Sequence, residues 1–219
     1  MGAQRLYSVV TIGILMTMAG TSAAQTTMSS GTRIMIGPFV GVNYSTLSGS
    51  DVMDAKYRTG FAGGGQLQAD FPGGLFFRTA ILYSQRGAEA TVDVTKVTLK
   101  ESYVEVPLLL GYSFAMEGSS TKPFIMAGGQ VGAKVSCDIS GTVSGTALNF
   151  KCDDSAVDIQ AKTIDYGAVG GAGVMFSAAG GTMSIDARYY FGLADVTETS
   201  NAKHRGFTAG IAYMIPIGH

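Results

Sequence analysis

Between Phe61 and Phe71 the chain alternates. Phe61, Gly63, Gly65, Leu67, Ala69 and Phe71 form one set, and Ala62, Gly64, Gln66, Gln68 and Asp70 the other. A period of two places these sets on opposite faces of a strand. One face is apolar with aromatic ends, and the other carries every polar group. The same rhythm recurs over 33–45, 75–87, 102–114, 122–134, 165–176, 182–192 and 206–217. Each segment has about the length a tilted strand needs to cross a bilayer, 9–11 residues plus some overhang. A helical period is convincing nowhere.

The connections alternate as well. Short links (72–74, 115–122, 177–181) follow the second, fourth and sixth segments, and long polar ones (46–60, 88–101, 135–164, 193–205) follow the others. Short turns at one end and long loops at the other predict an all-β, eight-stranded antiparallel up-and-down transmembrane barrel, with periplasmic turns and extracellular loops. Aromatics fall toward the ends of the apolar face: Phe61 and Phe71, Phe77 and Tyr83, Tyr112 and Phe114, Phe207 and Tyr213. That is the placement of an interfacial girdle. The opposite face carries few charges among many small residues. Asp70, Arg78, Arg86, Glu105, Asp186 and Arg188 are expected to form a lumen charge network, with Lys134 and Asp165 on the same face. In a narrow interior such charges must satisfy one another. A soluble, lipocalin-like barrel would instead turn the apolar face inward.

Composition narrows the setting. The chain has 219 residues, 31 of them glycine, 10% aromatic and 14% charged, with a formal charge of −1. Nothing in that balance suggests a nucleic-acid partner, which calls for a basic chain. Residues 1–24 read as a signal peptide. Arg5 is followed by an apolar stretch, Val9 to Ala19, and by Ser22-Ala23-Ala24, with cleavage after Ala24. Residues 25–219 form one barrel domain. Cys137 and Cys152 lie in this exported part and are expected to form a disulfide. The nearby Asp138, Asp153 and Asp154 have no histidine among them, which argues against a metal site.

The ordered series GPFVGVNYS, AILYSQRGA, YVEVPLLLGYSF, KPFIMAGGQVG, GAVGGAGVMF, SIDARYYFGLADV and GFTAGIAYMIPI resembles the porin-family or PorT-like outer-membrane barrels, the OmpA-like eight-stranded group. The resemblance implies residence in the outer membrane of a double-membraned bacterium, with lipid and the barrel-insertion machinery as partners. It also implies a C-terminal insertion signal, matched by Thr208, Gly210, Tyr213 and Ile215, although the chain continues past the usual terminal aromatic to His219. It implies no reaction.

The search for chemistry gives no catalytic, cofactor or metal site. His204 reads as a solvated residue of the last long loop, and KHRG lacks the neighbouring serine that lipid A deacylases pair with histidine. The runs GGGQ, GGQVG and GGAGV open no helix, so they read as strand glycines. The leading expectation is a non-enzymatic structural or surface-interaction protein. Its loops, above all 135–164, would meet an extracellular ligand. A small pore and a soluble carrier of an apolar ligand are the alternatives.

Overall fold

The computed structural model describes residues 31–50, 52, 55–92, 95–143, 146–152, 162–197 and 201–217. The expected leader with its cleavage point, and His219, lie outside the described residues. Nine strands appear among them: β1 (Arg33–Ser48), β2 (Lys56–Asp70), β3 (Leu75–Val92), β4 (Thr95–Ser113), β5 (Thr121–Val143), β6 (Thr146–Lys151), β7 (Ile164–Ala178), β8 (Gly181–Gly192) and β9 (Lys203–Ile217). The only helical piece among the described residues is the 3₁₀ turn Pro72–Gly74, where Gly73 and Gly74 take positive φ and reverse the chain.

Eight of the strands close a ring. Each pairs antiparallel with its neighbour in chain order, β5 passes directly to β7, and β9 returns to β1 in register from Ile34–Ile217 to Ser48–Lys203. The chain is an up-and-down barrel, and closure leaves no raw edge in the ring. β6 stands outside it and extends β5 as a hairpin, with Asp138 opposite Lys151.

The facing is that of a membrane barrel. Val40, Ile81, Leu108, Leu110, Ile125 and Ile211 are all exposed, with Ile81 at 67%. Met35, Phe39, Phe76, Leu109, Phe124 and Met214 are buried inside with the polar groups. This girdle of exposed apolar side chains is far larger than a water-soluble surface tolerates. The soluble-carrier alternative fails here, because it needs the apolar face inward. Aromatics bound the band: Tyr44 stacks on Tyr57 and Tyr189 leans on Phe207 at the long-hairpin end, and Tyr112 meets Phe114 at the short-turn end. Small residues admit large ones inside. A Cβ at Gly210 would lie 2.3 Å from the Phe39 ring, so glycine there lets Phe39 lie across β9.

Two features correct the sequence reading. Much of the expected polar loops 88–101 and 135–164 is ladder. β3 and β4 stay paired out to Val92 and Thr95, and β5 turns back through β6. Alternation also breaks within β5, where Ser102 pairs with Ser136 and Tyr103 with Lys134. Val135 is thus a bulge residue, 56% exposed, and beyond it the inward parity switches from even to odd numbers. Cys137 thereby turns inward, and Val135 outward.

Candidate functional site

Three polar layers fill the lumen. The layer nearest the short turns is built on Asp186 from β8. Its Oδ2 lies 3.0 Å from Arg78 Nη1 of β3, and its Oδ1 lies 2.6 Å from Arg188 Nε. Arg188 Nη2 donates to Gln66 Oε1 of β2 at 3.0 Å, and Arg78 Nε donates to Gln68 Oε1 at 2.8 Å. Asp70 joins through Gln68, whose Nε2 donates to it at 2.7 Å. The guanidinium faces are covered too. Arg78 lies between the rings of Phe76 and Phe124, at 5.1 and 4.8 Å, and Arg188 lies over Phe39 at 4.7 Å.

The middle layer centres on Arg86, with Nε 2.7 Å from Glu105 Oε1 and Nη1 3.1 Å from Asp165 Oδ2. Its guanidinium sits 3.9 Å from the Tyr190 ring centroid. Beside it Asn43 donates to Ser84 Oγ at 2.7 Å and accepts from Thr208 Oγ1 at 2.7 Å.

The third layer lies beyond the aromatic band, three residues past the rung that pairs Tyr83 with Val104. Glu101 Oε2 is 2.9 Å from His204 Nε2, and its Oε1 is 3.5 Å from Lys134 Nζ. The Tyr103 hydroxyl donates to Glu101 Oε1 at 3.3 Å and stands 3.3 Å from His204 Nε2. Burial disfavours the Glu101 charge, but His204, Lys134 and Tyr103 together outweigh it and hold the carboxyl below its ordinary 4.5. His204 is therefore no solvated loop residue. It belongs to β9, is 1% exposed and points into the lumen. The alternation of Phe207 and Arg205 outward against Thr208, Gly206 and His204 inward carries that placement. The sequence reading ended the strand at residue 206 and so missed it.

Asp70, Arg78, Arg86, Glu105, Asp186 and Arg188 all face the lumen, split over two layers. Glu101 was missed because it sits in ladder taken for loop. Cys137 and Cys152 are joined, 15 residues apart, and Cys152 N donates to Cys137 O at 3.1 Å. Thr208 and Gly210 face inward, Ile215 outward, and the Tyr213 hydroxyl donates to Ala179 O at 2.9 Å.

Two lumenal cavities, one beside Asn43, Tyr190 and His204 and one beside Leu82, Glu105 and Arg188, offer about 10 Å³ each. That is room for roughly one water molecule. Among the described residues no group of three or more His, Cys, Asp and Glu side chains could hold a metal ion.

No curated protein matches the chain in sequence. Among solved structures it is similar to Neisserial surface protein A, at 16% identity and a TM-score of 0.43, over 81% of this chain and 96% of that one. It is likewise similar to Ail, the attachment invasion locus protein of Yersinia pestis, at 13% identity and 0.40 over 83% and 99%. A third likeness is to the outer membrane enzyme PagL, at 18% identity and 0.37 over 81% and 99%. The family model described as "outer membrane protein beta-barrel domain" matches residues 23–198. That span takes in the ring from β1 through β8 and both cysteines, so the chain belongs to the outer-membrane β-barrel domain family and resides in the outer membrane.

Proposed function

We propose that the protein is a sealed, non-enzymatic barrel that serves as a rigid scaffold for an extracellular rim of hairpins, and that this rim meets partners at the cell surface. The observation that carries the reading is the filled lumen. Three polar layers cross it, and two cavities among the described residues there offer about 10 Å³ each. Such spaces pass no solute between the layers. The rim is where binding usually lives on a scaffold of this kind. Here it is a stapled arm of β5 and β6 with Phe150 and Lys151 exposed.

We also assign residues 25–219 to one exported domain after a leader ending at Ala24, and the Thr208, Gly210, Tyr213 and Ile215 series to recognition by the barrel-insertion machinery. Lipid is the partner of the outer face.

Planar-bilayer recording tests the seal. The wild-type barrel gives no conductance steps, and the Arg78→Ala, Arg188→Ala variant, with its lowest layer dismantled, gives larger leakage. Steps in the wild type would overturn the sealed reading. The rim is tested on intact cells, by photo-crosslinking from a benzophenone residue at position 150 and by replacing 138–151 with a two-residue turn. A partner crosslinked at Phe150 whose binding to cells, measured without the crosslinker, falls when the arm is replaced supports it. Equal partner capture without the arm rules it out.

A further inference from the structure

Above the third layer the rim encloses a recess of about 220 Å³. Its walls come from four parts of the chain. Leu47 stands on β1, Val97 and Leu99 on β4, Ile139 on β5, and Val196 and Ala202 on the connection between β8 and β9, with the Cys137–Cys152 bridge beside them. The floor is Glu101. Val196 and Ala202 are buried although they lie on a connection, and Ala202 is 7% exposed. The hydrogen bond from Val196 N to Ala202 O, 2.8 Å, and that from Lys162 N to Val196 O, 2.8 Å, fix this wall.

We propose that this recess is a binding site for a small, neutral, apolar molecule of bicyclic-hydrocarbon size. The lining selects the class. Six of its side chains are aliphatic, and the charge at its floor is already met by His204 at 2.9 Å, Lys134 at 3.5 Å and Tyr103 at 3.3 Å. A charged ligand would lose its hydration on entry and meet mainly aliphatic walls. The volume sets the size. A dry aliphatic cavity of about 150 Å³ takes up benzene. About half as much space again suits a fused pair of rings. The rigid ladder around it keeps the cost of ordering low, since β4 and β5 stay paired from Lys96–Thr142 down past the floor. The site is independent of the macromolecular role of the rim, because its side chains face the barrel axis while Phe150 and Val135 face outward.

Naphthalene titrated into methyl-labelled barrel in lipid nanodiscs tests the proposal. The methyl groups of Leu47, Leu99, Ile139 and Val196 report the recess, and those of Ile81, Leu108 and Ile125 report naphthalene dissolved in the bilayer. The expected result is a saturable shift at the recess methyls, half complete at a concentration at least tenfold below that moving the lipid-facing ones. Leu99→Trp, which fills the recess from β4, weakens that response at least tenfold, and Ala202→Leu does the same from the opposite wall. Both variants are checked for retained heat-modifiable mobility in SDS, so one that fails to fold is set aside for the other. Recess methyls that move only in proportion to the lipid-facing ones would overturn the proposal. So would a folded blocking variant that binds as well as wild type.

Discussion

Asp186→Asn isolates the worth of the lowest lumen layer. The substitution keeps size and shape, so no cavity opens. It changes what two guanidiniums meet. Asp186 accepts from Arg78 Nη1 at 3.0 Å and from Arg188 at 2.6 and 3.2 Å, and its side chain is 0% exposed against 1% and 6% for the two arginines. Asparagine retains one acceptor and turns an NH₂ donor toward an arginine donor, leaving two cations with no carboxylate between them. Removing one partner of a buried ion pair costs about 3–5 kcal/mol. With a urea slope of about 2–3 kcal/mol per M, the unfolding midpoint falls by about 1–2.5 M. The chain has no tryptophan, so the folded fraction is read from SDS gel mobility of unheated samples across a urea series. A companion variant removes all three charges, Asp186→Leu with Arg78→Met and Arg188→Met. It should match wild type or exceed it, since apolar replacement of a complete buried network is often neutral or favourable. A loss below about 1 kcal/mol in Asp186→Asn would refute the reasoning, for it would mean that water already solvates the layer.

Leu108 stands midway between the Val104 and Tyr112 levels and is 52% exposed, so Leu108→Arg at this depth should cost about 2–4 kcal/mol in a lipid bilayer, measured by the same urea series. Reducing the Cys137–Cys152 bridge, which spans 15 residues, removes roughly 3 kcal/mol of restraint from the arm. Protease cleavage between 138 and 151 should accelerate about a hundredfold while the heat-dependent mobility of the barrel persists. Glu101 is held below 4.5 in the folded protein, so its contribution is full at neutral pH and is lost as the pH falls from about that value through its folded pKa. Stability of Glu101→Gln against pH should lack that part of the acid limb, and an unchanged limb would dismiss the Glu101–His204 layer as a source of stability.

The ring itself was legible because lipid enforces a strict period of two. Ile81 and Leu108 must face outward and Arg78 and Glu105 inward, and no register slip can satisfy both. Beyond the aromatic band that constraint lapses. Water accepts either face, so Thr95 to Glu101 reads as a polar link although Val97 and Leu99 face inward there. The Val135 bulge hides Cys137 from any parity count, because it shifts the face without any mark in composition. His204 was recoverable in principle from the alternation running back from Phe207. Glu101 and Tyr103 were not, as partners of His204, because roughly a hundred residues separate them in the chain and only ring closure makes them neighbours.

The β1–β9 seam has a kinetic consequence. Every other rung of the ring joins strands that follow one another along the chain, with only the β6 hairpin between β5 and β7. The seam joins Ile34 to Ile217, the longest closure the molecule makes. Loop entropy alone adds little for such length. The cross-lumen contacts are nearly as remote, with Arg78 and Asp186 separated by 108 residues and Gln66 and Arg188 by 122. They assemble only after the sheet has curled. The last strand therefore acts as a latch. Until it docks, two raw edges stay open and Arg78, Asp186, Gln66 and Arg188 wait for their cross-lumen partners, and once it docks they meet together. Such a molecule should fold late and abruptly, and should come apart only by opening that one latch.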